Sequence, residues 1–179
     1  LNIYKGMNTN SNVYTVIYTT IVCVVVAAIL AFVSQSLKDR QEANEKAENI
    51  SQILTAAQFG EKSSWTDNNT TINFYKENID RALLVNAKGE TVKVMDASKA
   101  EIYTVSDLKK QNYNVSGAAG ELEIPVYIFK NGTHVFPVYG AGLWGPIWGY
   151  IAVDKSLTHI VGAYFDHASE TPGLGAKIK

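Results

Sequence analysis

Three histidines (His134, His159, His167) and a single cysteine (Cys23) are the residues best suited to acid–base, nucleophilic or metal chemistry. They fall into none of the spacings such chemistry uses. There is no H-E-x-x-H helix for zinc, no G-x-S-x-G elbow for a serine nucleophile and no second cysteine for a disulfide, a Cys-based zinc site or an iron–sulfur cluster within the chain. Asp166, His167 and Glu170 lie close together but lack the i, i+4 spacing of helical zinc sites, and His134 and His159 read as exposed strand or turn residues. Gly140-Ala141-Gly142 imitates the start of a dinucleotide fingerprint, yet Trp144 follows it and it lies between predicted strands, whereas a Rossmann turn must open a helix. Any redox chemistry therefore needs a borrowed cofactor, and no independent active site is expected.

Two stretches join tight turns to large apolar or hydrogen-bonding side chains. In the first, Gly140 to Tyr150, dense glycines permit positive φ and close backbone approach, while Leu143 and the tryptophans offer a flat apolar wall or, more simply, core packing around a turn. The second is His167-Ala168-Ser169-Glu170-Thr171-Pro172-Gly173-Leu174-Gly175, where Pro172-Gly173 predicts a turn that presents backbone N–H groups beside Glu170 and Thr171.

The elements that position these stretches begin with an anchor. Val13 to Val33 is 21 residues without a charge, proline or glycine; at about 1.5 Å per residue it reaches roughly 30 Å, the thickness of a bilayer's hydrocarbon core. It is too long for a signal-peptide core and no A-x-A-like site follows it, so it predicts an uncleaved transmembrane helix with Cys23 as an apolar filler. Lys5 before it and Lys38 and Arg40 after it lean weakly towards a cytoplasmic C-terminal side. The remaining charge is balanced, 16 basic against 17 acidic residues, with no basic run to suggest nucleic acid.

Beyond the anchor, Ala43, Ala47, Ile50, Leu54 and Ala57 predict one apolar stripe on a helix over Leu37–Phe59, stopped by Gly60. Ser63–Thr71 reads as a loop and Asn73–Arg81 as a short helix. Two hairpins follow: Ala82–Val85 with Thr91–Met95 around Asn86–Gly89, and Glu123–Lys130 with Thr133–Val138 around Asn131-Gly132, the latter suiting a type I′ turn. Pro125 and Pro137 are expected at strand starts or edges. Ile147–Val153 and Ile160–Phe165 complete an antiparallel sheet. The fold class is α+β: one N-terminal transmembrane helix, a helix, and an antiparallel-sheet domain. The expected divisions are a tail (1–12), the transmembrane helix (13–34), a connecting amphipathic helix (35–60) and the sheet domain (61–179).

GLWGPIWGYIAVD, a strand, and then DHASETPGLG, behind a single N-terminal apolar helix, resembles the C subunit of sodium-translocating NADH:quinone reductases. The G subunit of Rnf-type electron-transport complexes shares the FMN-binding domain and an ETPGLG-like loop, and the GLWG segment favours the first. The resemblance implies an FMN-binding domain on the outer, periplasmic side of the bacterial cytoplasmic membrane, against the lean of the flanking charges. It further implies electron relay among the partner subunits of a sodium pump, and a flavin transferase that attaches FMN to a threonine in an S-G-A-T-like string. Such a string is expected downstream of Lys179; Ser116-Gly117-Ala118-Ala119 lacks the threonine. By the same resemblance Leu143 and Trp144 would line the isoalloxazine, and Glu170, Thr171, Gly173 and Leu174 would contact it from the second turn. The alternative is a membrane-anchored, non-catalytic scaffold or sensor domain.

Overall fold

The computed structural model describes residues 12–110 and 123–169. They form α1 (Asn12–Ala56), α2 (Asn68–Asn78), β1 (Ile79–Asn86), β2 (Thr91–Met95), α3 (Val105–Lys110), β3 (Glu123–Phe129), β4 (His134–Ala141), β5 (Pro146–Val153) and β6 (Ile160–His167), with short 3₁₀ turns at Lys62–Ser64 and Ala97–Lys99. The chain divides into two compact units, Leu1–Glu42 and Ala43–Lys179.

In the first unit, α1 is long and apolar enough to cross a membrane. The Thr19 and Thr20 hydroxyls donate to the carbonyls of Thr15 and Val16 at 2.8 Å, so these polar groups are satisfied within the helix, as a bilayer requires. The apolar side chains Val13, Ile17, Leu30 and Phe32 are exposed. Cys23 is exposed among them. Lys38 and Glu42 form an i, i+4 pair past the apolar run.

In the second unit the helix changes character. Ala43, expected in the buried stripe, is exposed, whereas Asn49, Ile50, Ser51, Gln52, Ile53 and Leu54 are all buried. Six consecutive buried residues exceed one stripe, so this part of α1 is enclosed on several sides. Its polar members are satisfied locally: Asn49 Nδ2 donates to the Glu45 carbonyl and Ser51 Oγ to the Glu48 carbonyl. The helix ends at Ala56, before Gly60. Phe59 N–H donates to the Leu54 carbonyl and Gln58 N–H to the Thr55 carbonyl, a Schellman closure with Gln58 at φ +64 in the place glycine usually takes.

The second helix begins earlier than its apolar pattern predicts, because Asp67 caps it by accepting from Thr70 N–H at 2.7 Å. It stops at Asn78, where β1 starts. All six strands form one antiparallel sheet in the order β2-β1-β3-β4-β5-β6. Tyr75, Tyr127, Phe129, Val135 and Tyr150 share a core with Ile50, Ile53 and Leu54 of α1.

Two local expectations are corrected. The β3–β4 turn is not type I′: only Gly132 is left-handed, at φ +88. With Gly132 N–H donating to the Phe129 carbonyl at 2.8 Å and Phe129 N–H to the Thr133 carbonyl at 2.9 Å, it is a three-residue loop closed by a glycine bulge. Asn131 Oδ1 accepts from Thr133 N–H and so fixes that register. Nor do Pro125 and Pro137 sit at the sheet's edge. They lie in the central strands β3 and β4, whose pairing ends at Tyr127 opposite Val135. Counting in steps of two from the Phe129–Thr133 bond, both missing N–H groups face the opening between these strands, where no ladder needs them.

Candidate functional site

Strands β4 and β5 pair without a break from His134 opposite Val153 to Ala141 opposite Pro146, leaving Gly142-Leu143-Trp144-Gly145 as the connecting loop. Gly142 N–H donates to the Gly145 carbonyl at 2.7 Å. Strands precede and follow this loop, which removes the dinucleotide reading. Its glycines do not serve through positive φ; among the described residues the left-handed glycines are Gly60, Gly89 and Gly132. Gly145 in the loop and Gly149 in β5 serve through close approach. A Cβ on Gly149 would meet the Tyr164 carbonyl oxygen at 2.3 Å, and one on Gly145 would meet Ser169 Cβ at 3.1 Å.

That second contact matters for the site. Strand β6 pairs with β5 through Trp148 opposite Asp166 and Ile147 opposite His167, and Ala168 N–H donates to the Pro146 carbonyl at 3.1 Å. The glycine-rich stretch and the start of the Pro-Gly stretch are thereby brought together, with Ser169 against Gly145. Leu143 is 78% exposed and Trp144 63% exposed beside this junction. Of the six residues expected to hold a flavin, Leu143 and Trp144 are placed here; Glu170, Thr171, Gly173 and Leu174, like Ser116–Ala119, lie outside the described residues.

The support behind the hairpin was not legible as a site. Tyr150 OH donates to Asn49 Oδ1 at 3.0 Å, and Val105 N–H donates to the same oxygen at 3.1 Å. Trp148 Nε1–H donates to Gln52 Oε1 at 3.3 Å. Asn49 and Gln52 therefore fasten β5 and the start of α3 to α1, and their only sequence signal is a polar pair three apart inside a buried helical stretch.

A charged cluster stands next to it. Asp166 is 5% exposed and accepts from Tyr164 OH at 3.2 Å and from His167 N–H at 2.8 Å. Lys62 Nζ lies 3.7 Å from the Asp166 carboxylate and 2.5 Å from Glu48 Oε1 on α1, and 5.6 Å from the centre of the Tyr164 ring. Burial alone would lower the Lys62 pKa, but the bonds to Glu48 and to the Tyr164 phenol outweigh it and hold the ammonium above the usual lysine range. Burial, joined by the Asp166 carboxylate, raises the Tyr164 phenol against the lowering pull of Lys62.

The strand alternation also separates Asp166 from His167. Neighbouring side chains point to opposite faces, and Asp166 is turned to Lys62 and Tyr164, so these two do not converge as metal ligands. His134, expected exposed, is half-buried with Nδ1 2.9 Å from the Gly132 carbonyl. His159 stays exposed in the β5–β6 turn, 3.3 Å from Asp154.

These residues fit one wall of a flavin pocket. Two exposed apolar side chains, one of them an indole, offer a flat surface, and a strand ladder fixes the neighbouring loop against it. Residues 142–179 match the model of the FMN-binding domain family. The chain is 28% identical over 158 residues to the C subunit of the Na(+)-translocating NADH-quinone reductase of Vibrio parahaemolyticus, covering 80% of this chain and 59% of that protein. It is 31% identical to the corresponding C subunit of Chlamydia muridarum, over 69% of this chain and 44% of that protein. The crystal structure of the Parabacteroides distasonis C subunit superposes with a TM-score of 0.61 at 36% identity, over 79% of this chain and 63% of that one. The chain thus resembles these proteins in sequence and fold, and spans about six-tenths or less of the length of the curated relatives.

Proposed function

We propose that this chain is part of a membrane-anchored flavoprotein subunit that relays electrons through FMN within a sodium-translocating NADH:quinone reductase. The observation that carries the reading is the junction of the exposed Leu143–Trp144 turn with Ser169, which brings the start of the second stretch of the resemblance against the first. In this reading residues 13–34 are the anchor in the bilayer, and the sheet domain stands on the outer side of a bacterial cytoplasmic membrane.

When bound, FMN supplies the electron-carrying chemistry. This chain's residues bind and orient it: Leu143 and Trp144 against the ring, with Glu170, Thr171, Gly173 and Leu174 contributing from the following turn. A threonine beyond Lys179 carries the phosphoester, installed by a flavin transferase, and the electron donor and acceptor are other subunits of the complex. Sodium passage belongs to those partners, because a single apolar helix whose Thr19 and Thr20 hydroxyls are bonded to its own backbone offers no ring of oxygen ligands.

The test is ultraviolet fluorescence of a denaturing gel loaded with the full-length protein from its native membranes. A fluorescent band at its mass is the expected result. A dark band from membranes that contain active flavin transferase rules out covalent FMN.

A further inference from the structure

Near the proposed flavin pocket lie two carboxylates and one ammonium. Asp166 is buried on β6, Lys62 bridges it to Glu48, and Glu48 projects from α1 with its side chain about half exposed, 49%. Stability alone gives little reason for such a cluster, since ion pairs made by partly exposed side chains contribute little. Its position is more telling. Asp166 stands opposite Trp148 in the ladder, and Ser169, three residues on, touches the GLWG turn at Gly145. At about 3.3 Å per residue of strand, the Asp166 end of the cluster lies roughly 10 Å from that contact.

We propose that the Glu48–Lys62–Asp166 cluster tunes the reduction potential of the flavin held at this turn, an inference that rests on the function proposed above. An oxidised isoalloxazine that accepts one electron from its donor gains one negative charge unless a proton follows. Charges near that turn, partly shielded from water by the sheet and α1, act on that change because neither solvent nor salt screens them fully. Lys62 favours the reduced ring and raises the potential. Glu48 and Asp166 oppose it and lower the potential. The bridge sets the balance by holding all three charges in fixed positions.

The experiment is a spectroelectrochemical titration of the full-length, flavin-loaded protein and three variants. Lys62→Met is expected to shift the midpoint to a more negative value. Asp166 keeps the Tyr164 hydroxyl and the His167 N–H as donors in this variant. Glu48→Gln is expected to shift the midpoint to a more positive value, and Lys62→Arg to leave it near that of the parent protein. The opposite signs are the diagnostic, because a purely structural loosening by either substitution would move both midpoints the same way. Should Lys62→Met fail to fold, Glu48→Gln at its half-exposed position still decides the matter by the sign of its shift. Midpoints that do not move, or that move together, overturn the proposal. A parent protein without flavin absorbance overturns the functional reading and this inference with it, whereas a yellow parent with unmoved midpoints overturns this inference alone.

Discussion

The turns at the two ends of β4 obey different rules. At the β3–β4 end, Lys130-Asn131-Gly132 does what a stable turn should: glycine takes the left-handed position and the Asn131 side chain accepts the Thr133 N–H. At the β4–β5 end, Gly142-Leu143-Trp144-Gly145 needs no left-handed residue and leaves its two largest side chains exposed. The first turn is explained by the folding of the chain. Burial does not explain the second in the same way, since a largely exposed leucine and indole gain little from it, and an exposed apolar surface of this kind marks a place where something binds. The contrast separates residues that hold the sheet from residues that the sheet presents, and substitutions can be chosen to probe each class.

The largest effect is expected within the scaffold of the second turn. Gly149→Ala places a methyl group 2.3 Å from the Tyr164 carbonyl oxygen, so β5 and β6 must separate, at a cost of about 3 kcal/mol or more. Urea denaturation is the measurement, and a loss below about 1 kcal/mol would show that the ladder yields where the structure has it tight. Asn49→Ala comes next. It leaves the Tyr150 hydroxyl and the Val105 N–H without their shared acceptor in the interior, a loss of about 2–3 kcal/mol. Asn49→Asp keeps an acceptor and should recover part of that stability.

How much of this was legible in the sequence depends on how local the determinant is. The β-hairpins, expected over residues 82–95 and 123–138, carry their own turn residues, and the apolar anchor carries its length, so each could be placed from the chain alone, though β1 begins three residues earlier, in what read as the end of a helix. The conformation of the Asn131-Gly132 turn could not, because two-residue and three-residue loops share that dipeptide and the choice rests on where the ladder hydrogen bonds fall. The central position of Pro125 and Pro137 was hidden for a related reason: a proline reads as an edge residue unless the neighbouring strand is known to diverge. Of the candidate site, Leu143 and Trp144 were singled out through the resemblance, since their spacing alone also fits core packing around a turn. Asn49, Gln52, Lys62 and Asp166 were not, since each acts on a partner far away in sequence and nothing near it in the chain marks the pairing.

A smaller effect is expected at the first turn. Gly132→Ala forces an alanine to φ +88, where its methyl group also meets the Lys155 side chain at 3.0 Å. The backbone conformation costs about 1–2 kcal/mol, and the flexible lysine can move aside. The thermal midpoint should fall while flavin content in the full-length protein stays that of the parent, because this turn and the GLWG loop lie at opposite ends of β4. A fall in flavin content at unchanged stability would break the assignment of this turn to the scaffold.

The smallest change in stability, and the sharpest use of the comparison, belongs to Leu143→Ala. A side chain that is 78% exposed surrenders little burial when shortened, so unfolding free energy should stay within about 0.5 kcal/mol of the parent. In the proposed function the same leucine is one of two apolar groups that the β4–β5 turn offers to a planar ring. Shortening it removes contact area from the bound state only, so the flavin of the full-length variant should be more accessible to solvent, read as stronger quenching of its fluorescence by iodide. A variant that loses stability but keeps its flavin shielded would turn the argument around: the leucine would then be a packing residue, and the contrast between the two turns would reflect folding alone.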